Sequence, residues 1–383
     1  MRHRAKDGRR YTKSKYMFFS IFLALMVCSK GFGLDNGDKL YYIISVISIP
    51  FWFFHVVTLR WTSSTLSYAM VIFTVAFFAT LTTGKTGILL SVMLMIAVKD
   101  SDREKLIELI LKLWAVCISI MIILVSLGIV TDKVVSENGK TWHGMGYRTG
   151  NLFNATVVIL FILYLYYRKT KLTFWEITFV LFSNFVVYKF SASRTGLIMG
   201  VFAVLLACLL KLAQENRRIL KMIMAGLCAG IFIVVLSSFI IPVLYDGDWG
   251  SNRFPNVVNR AMTGRIQHAK TVMTSDPVTL FGNTGELTAF IDNAYVFLVM
   301  KYGIAVSVMI CVVYFLAVKS MVNREDIYAV YVVSLFVVFG FTEQFFINSF
   351  MNYSFLFVGN EIINVLLRRH EKVGRLQRRN QDV

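Results

Sequence analysis

Long apolar runs separated by short polar gaps dominate this chain from residue 16 to residue 367. Runs long enough to cross, or nearly cross, a hydrocarbon core of about 30 Å recur about twelve times. They lie near residues 16–34, 40–58, 65–83, 86–98, 107–130, 151–167, 172–190, 196–211, 220–244, 293–318, 327–346 and 352–367. Backbone polar groups in lipid must be satisfied within the segment, so each run predicts a helix. The run at 86–98 is short and predicts a tilted or re-entrant segment. The expected fold is all-α: a polytopic integral membrane protein with a single transmembrane domain over 16–367, a basic segment at 1–15 and a basic tail at 368–383.

Charge orients the runs. Lys and Arg concentrate at both termini and in alternate gaps: Arg60; Lys99, Arg103 and Lys105; Arg168, Lys169 and Lys171; Lys211, Arg217, Arg218 and Lys221; Lys319 and Arg324. The positive-inside rule then places both termini in the cytoplasm. Composition agrees, with 57% hydrophobic and only 16% charged residues, against about 25% charged in soluble domains. The net charge of +18 would suggest nucleic acid in a soluble chain; here it follows the gaps and reads as a topology signal. The basic tail is expected to lie against anionic lipid. The first run follows a basic segment, as a signal peptide would, but no small-x-small site follows Cys28, so it is expected to persist as an anchor. Cys28, Cys117, Cys208, Cys228 and Cys311 all lie in apolar runs, without the spacing of a disulfide framework or a metal site.

Two gaps on the outer side, 131–150 and 245–291, exceed the usual loop limit of about 12–15 residues, and function is expected there. Within the second, residues 263–273 predict a short helix, N-capped by Thr263 and stopped before Asp276-Pro277. Met262, Ile266, Ala269 and Met273 share one face; Arg265 and His268 share another. Arg265 falls in the first turn, where a cation opposes the macrodipole by about 0.3–1 kcal/mol, so an anion is expected beside it. Ser193 and Arg194 repeat this arrangement at the start of the run 196–211, as cap and first helical residue. A helix amino end with free N–H groups and an arginine suits a phosphate or an anionic headgroup. The competing reading of Arg194 is a side chain that snorkels to lipid phosphates.

In order along the chain, Ser191-Ala192-Ser193-Arg194-Thr195-Gly196, Thr263-Gly264-Arg265, Phe281-Gly282, Asp292-Asn293-Ala294-Tyr295 and Lys301-Tyr302-Gly303-Ile304 resemble the signature of the O-antigen polymerase and ligase family, the Wzy-type polysaccharide polymerases. The earlier segment from His143-Gly144-Met145-Gly146-Tyr147-Arg148 through Thr149-Gly150 to Asn154 is similar to that family's histidine- and glycine-containing loop. The resemblance covers residues 140–305. It implies a GT-C-type, all-helical, metal-independent glycosyltransferase in a bacterial plasma membrane. The implied substrate is an oligosaccharide repeat unit on undecaprenyl pyrophosphate, joined at the outer face into capsular, exo- or O-antigen polysaccharide. A flippase and a chain-length regulator of the same pathway are the implied partners. The ligase branch carries a histidine in the later motif where this chain has Asp292, which favours the polymerase.

Such chemistry asks for cations at the departing pyrophosphate, which gains negative charge in the transition state, and for a base at the acceptor hydroxyl. Arg194 and Arg265 are assigned to the pyrophosphate, with Ser193 beside Arg194 and Arg148 as a third contact; a solvated loop charge is the other reading of Arg148. The candidates for the base are Asp292, Glu343, Glu286, His268 and His143. Asp292 ranks first because it opens an apolar helix, where burial raises a carboxyl pKa, although aspartate there is also a good N-cap. Glu343 ranks second, either as a site residue or as an interfacial carboxylate paired with a neighbour. Lys301 is expected to snorkel outward as a structural residue. Asp246-Gly247-Asp248 has the spacing of a divalent-ion motif, but Asp-Gly is an ordinary turn dipeptide. No Walker loop, dinucleotide fingerprint or Gly-x-Ser-x-Gly elbow occurs, and no metal or other cofactor is expected. A ligase acting on another acceptor and a carrier for lipid-linked sugars are the alternatives. Carriers commonly show internal repeats and discontinuous helices near the midplane, whereas the charged candidates here gather at one face.

Overall fold

Each predicted apolar run lies on a helix. The computed structural model describes residues 2–35, 37–137, 140–247, 253–348 and 350–381. In chain order its helices are α1 (Arg2–Gly31), α2 (Lys39–Thr58), α3 (Ser63–Thr83), α4 (Gly87–Ala97), α5 (Arg103–Ser126), α6 (Gly150–Arg168), α7 (Phe174–Ser191), α8 (Arg194–Ala213), α9 (Arg217–Leu244), α10 (Arg253–Ala261), α11 (Arg265–Ser275), α12 (Ala294–Phe297), α13 (Gly303–Asn323), α14 (Ile327–Gly340) and α15 (Ser354–Gln381). The one sheet among the described residues is an antiparallel hairpin of β1 (Val134–Glu137) and β2 (Lys140–His143), which pairs Val134 with His143. Seven segments of the described residues are long and apolar enough to cross a membrane: α2, α3, α5, α6, α8, α9 and the stretch from α12 through α13. Residues 16–31 of α1, together with α4 and α14, are apolar but shorter.

The short run at 86–98 becomes α4, an inner helix. Its 11 residues reach about 16 Å at 1.5 Å each, roughly half of the hydrocarbon core. All of them except Leu89 are buried, and α3 and α15 pack against it. Gly359 on α15 permits that approach, because a Cβ there would fall 2.6 Å from the Met95 carbonyl oxygen. The apolar run at 327–346 also proves shorter than its hydropathy. Its helix, α14, ends at Gly340, which packs against Phe346 and the Tyr295 hydroxyl, and the chain continues into a 3-10 turn at Gln344–Ile347.

The contacts divide the chain into two compact units, Met1–Leu59 with Asp100–Leu220, and Arg60–Lys99 with Lys221–Val383. In the first unit, α6 and α7 each present a buried asparagine to a glycine of α8. A Cβ on Gly196 would fall 1.6 Å from Asn154 Oδ1, and one on Gly200 would fall 2.3 Å from Asn184 Nδ2. This small-xxx-small face lets the helices close up, and Asn184 Nδ2 donates to the Leu197 carbonyl at 3.0 Å.

In the second unit, α12 passes through a π turn at Leu298–Tyr302 before α13 restarts at Gly303. The segment 279–285 clasps this break. Asn283 N donates to the Lys301 carbonyl at 3.1 Å, Ile304 N to Thr279 O at 3.0 Å and Ala305 N to Leu280 O at 3.0 Å. Gly282 takes φ 99°, and a Cβ there would fall 2.3 Å from Lys301 O, so the close approach needs glycine. Lys301 does not snorkel. It is buried and donates to the carbonyls of Asn283 and Gly285 at 2.7 and 2.8 Å. Phe281-Gly282 and Lys301-Tyr302-Gly303-Ile304 are thus two sides of one clasp.

Candidate active site

The second unit gathers Arg265, Asp292 and Glu343 into one ion cluster. Their side chains are 12%, 23% and 13% exposed. The sequence predicts Thr263 as the cap of α11, but Thr263 does not take that position. Thr263 and Gly264 both take positive φ, 53° and 86°, and Gly264 is the cap, without a side-chain hydrogen bond. Arg265 is the first residue of α11. Ile266, Ala269 and Val272 are buried beneath the helix, and the last two share a core with Ile291, Val296 and Met300. That packing fixes the start of α11 beside the segment leading into α12.

Asp292 is not a helix cap either. Asn293 takes that position, its Oδ1 accepting from Tyr295 N at 3.0 Å and Val296 N at 3.2 Å. Asp292 is left to meet Arg265, whose Nε lies 2.8 Å from Asp292 Oδ2. Nη1 and Nη2 both donate to Glu343 Oε1 at 3.2 Å, and Nη1 also donates to the Thr342 carbonyl. The anion expected beside a first-turn arginine is therefore a pair of the chain's own carboxylates. Among the described residues no partner takes Asp292 Oδ1 or Glu343 Oε2, so each carboxylate keeps one uncommitted oxygen.

Burial pushes Asp292 above the usual carboxylate range, with the charges of Arg265 and His268 pulling it back. Glu343, in the connection after α14, is pushed up to about 7, first by burial and further by the charge of Asp292, against the pull of Arg265. Two ionised carboxylates on one guanidinium leave an excess negative charge, which favours a proton on one of them. His268 lies exposed on α11, one turn beyond Arg265. Glu286 stands apart from the cluster, exposed and 3.5 Å from Lys85 Nζ.

In the first unit, Ser193 caps α8 as its sequence predicts, Oγ accepting from Gly196 N at 3.4 Å, and Arg194 is the first helical residue. Ala192 takes φ 52°, which makes the α7–α8 turn very tight. Thr149 caps α6 through Leu152 N at 3.2 Å. A Cβ on Gly150 would fall 2.7 Å from Ser191 O, so α6 begins against the turn from which α8 starts. Arg148 and Arg194 are both exposed, and among the described residues neither meets a carboxylate. His143 closes β2 with its ring edge toward Phe190 of α7, centroids 6.2 Å apart.

Sequence reasoning missed Asn293 as the cap, Asn154 and Asn184 as helix-packing residues, and Asp132 as the partner of His143 (2.6 Å). Of the divalent-ion motif, Asp246 accepts from Asn256 Nδ2 at 3.4 Å, and Asp248 lies outside the described residues. The chain matches no family model, no curated protein and no solved structure.

Proposed function

We propose that this chain is a metal-independent glycosyltransferase that polymerises oligosaccharide repeat units carried on undecaprenyl pyrophosphate, at the outer face of a bacterial plasma membrane. In this reading about twelve helices lie in the membrane in a GT-C-type arrangement, and both termini are cytoplasmic. The observation that carries it is the carboxylate pair Asp292 and Glu343 held on Arg265, with one oxygen of each free. An acceptor hydroxyl is a poor nucleophile, and a base tuned near the working pH is what its activation requires. Arg194 and Arg148, which meet no carboxylate among the described residues, are assigned to the pyrophosphate. Arg265 is reassigned from phosphate to carboxylates, since four of its N–H directions are already taken.

In the proposed reaction the anomeric carbon leaves the pyrophosphate oxygen, which keeps the electron pair. The acceptor oxygen bonds to that carbon and gives its proton to the carboxylate pair. The base must be ionised to receive it. With Glu343 set at about 7, the rate is expected to rise with pH through about 7 and then level. Glu343→Gln should abolish that rise and lower the rate by about 10²- to 10⁴-fold. Initial rates between pH 5.5 and 8.5 check this; a wild-type profile flat through 7 would remove Glu343 as the base.

The topology has its own test. Cysteines introduced at Val278 and at Asn216 are expected to differ in intact cells, the first reacting with an impermeant thiol reagent and the second only after permeabilisation. Labelling of the Asn216 position in intact cells would invert the orientation and put both arginines on the wrong side.

A further inference from the structure

Apart from the carboxylate cluster, the first unit holds a second pair of titratable groups. His143 Nδ1 lies 2.6 Å from Asp132 Oδ2, while Asp132 Oδ1 accepts from Met145 N at 2.8 Å. An ionised carboxylate only accepts, so Nδ1 carries a proton toward Asp132 and Nε2 is the nitrogen turned away from it. Among the described residues Nε2 has no partner, and the side chain is 36% exposed. The ring is fixed by Phe190, and the His143 backbone by Gly150, where a Cβ would fall 3.3 Å from the His143 carbonyl oxygen. The dyad thus stands at the end of the unit where α6 and α8 begin.

The described charged side chains on the segments around it are Lys133, Arg148, Lys189 and Arg194, with Asp132 the only acid named among them. Such a balance selects an anion. We propose that Asp132 and His143 form a proton-carrying dyad for a diphosphate held by Arg148 and Arg194. The inference rests on the assignment of pyrophosphate to these arginines. The phosphates of a diphosphate diester are fully ionised and only accept, so Nε2 must meet them with a proton of its own, and the imidazolium that forms is steadied by Asp132. Binding such a diphosphate to a neutral ring therefore takes one proton from solution. During transfer this proton can pass to the departing phosphate oxygen, which keeps the electron pair of the bond it loses. Asp132 acts through His143 and is a positioning residue.

The test is calorimetric titration of the full-length, detergent-solubilised protein with inorganic pyrophosphate and, separately, with a short-chain polyprenyl diphosphate. Running each in two buffers of different ionisation enthalpy counts the protons exchanged, and the difference between wild type and variant at one pH removes the part that belongs to the ligand's own P–OH. Asp132→Asn keeps an acceptor for Met145 N–H but turns an amide N–H toward Nδ1, which moves the neutral ring's proton to Nε2. That ring donates without first taking up a proton, so the variant should bind about 5- to 10-fold more weakly and show less proton uptake than the wild type. His143→Gln should likewise lose the extra uptake. A purely structural staple would leave proton uptake unchanged. Linkage with either ligand supports the dyad and names the source of its diphosphate. Equal uptake and affinity in wild type and both variants, or a wild type that binds neither ligand, overturns it. Proton-linked binding in a protein that makes no polymer keeps the dyad and sinks the polymerase reading. Polymer formation with unlinked binding does the reverse.

Discussion

Arg265→Leu is expected to cost about 3 kcal/mol of stability, because it leaves Asp292 and Glu343 facing one another without their shared cation. Removing one partner of a buried pair typically costs about 3–5 kcal/mol; the lower end applies here because both carboxylates keep some exposure and either can take up a proton. The loss should be read as a lowered melting temperature of the detergent-solubilised protein. Adding Glu343→Gln to the same chain should recover part of it, since one of the two stranded charges is then gone. Arg265→Lys should fail as well, because a single ammonium cannot present Nε to Asp292 and a two-pronged edge to Glu343. An Arg265→Leu protein that melts with the wild type would mean that the cluster contributes nothing to the fold.

Arg194→Lys should insert and fold normally yet lower polymer formation by about 10²- to 10³-fold, the usual effect of removing one preorganised donor to developing negative charge. The charge is kept; what is lost is the planar fork that matches phosphate oxygens in pairs. Folding should be unaffected because Arg194 is exposed and has no carboxylate partner among the described residues, while the cap beside it belongs to Ser193. Polymer yield at matched membrane abundance measures the effect. If the side chain only snorkels to lipid headgroups, the lysine variant keeps the wild-type yield.

The helices were legible because lipid allows so few alternatives: an apolar run of sufficient length has to be helical. Hydropathy did not show how far each helix runs or how deeply it is enclosed: α4 and α14 are shorter than their apolar runs and buried by their neighbours. Local cap chemistry identified Ser193 and placed Arg194 at the first helical position. It went wrong where two good caps are adjacent, as with Asp292 and Asn293, and where a turn through Gly264 displaced Thr263. The Arg265–Glu343 contact joins residues 78 positions apart, and no local pattern carries such a pairing. The link of His143 to Asp132 did have a signal. Asn138-Gly139 is a preferred dipeptide for a two-residue hairpin turn, and a hairpin there brings the segments on either side together.

The most direct measurement is to incubate purified protein with a lipid-linked repeat unit and size the products on a gel. The proposed function predicts a ladder of regularly spaced bands, lost in Arg194→Lys and strongly reduced in Glu343→Gln. A single shifted band would indicate transfer to another acceptor, and an unchanged substrate with folded, monodisperse protein would contradict the polymerase.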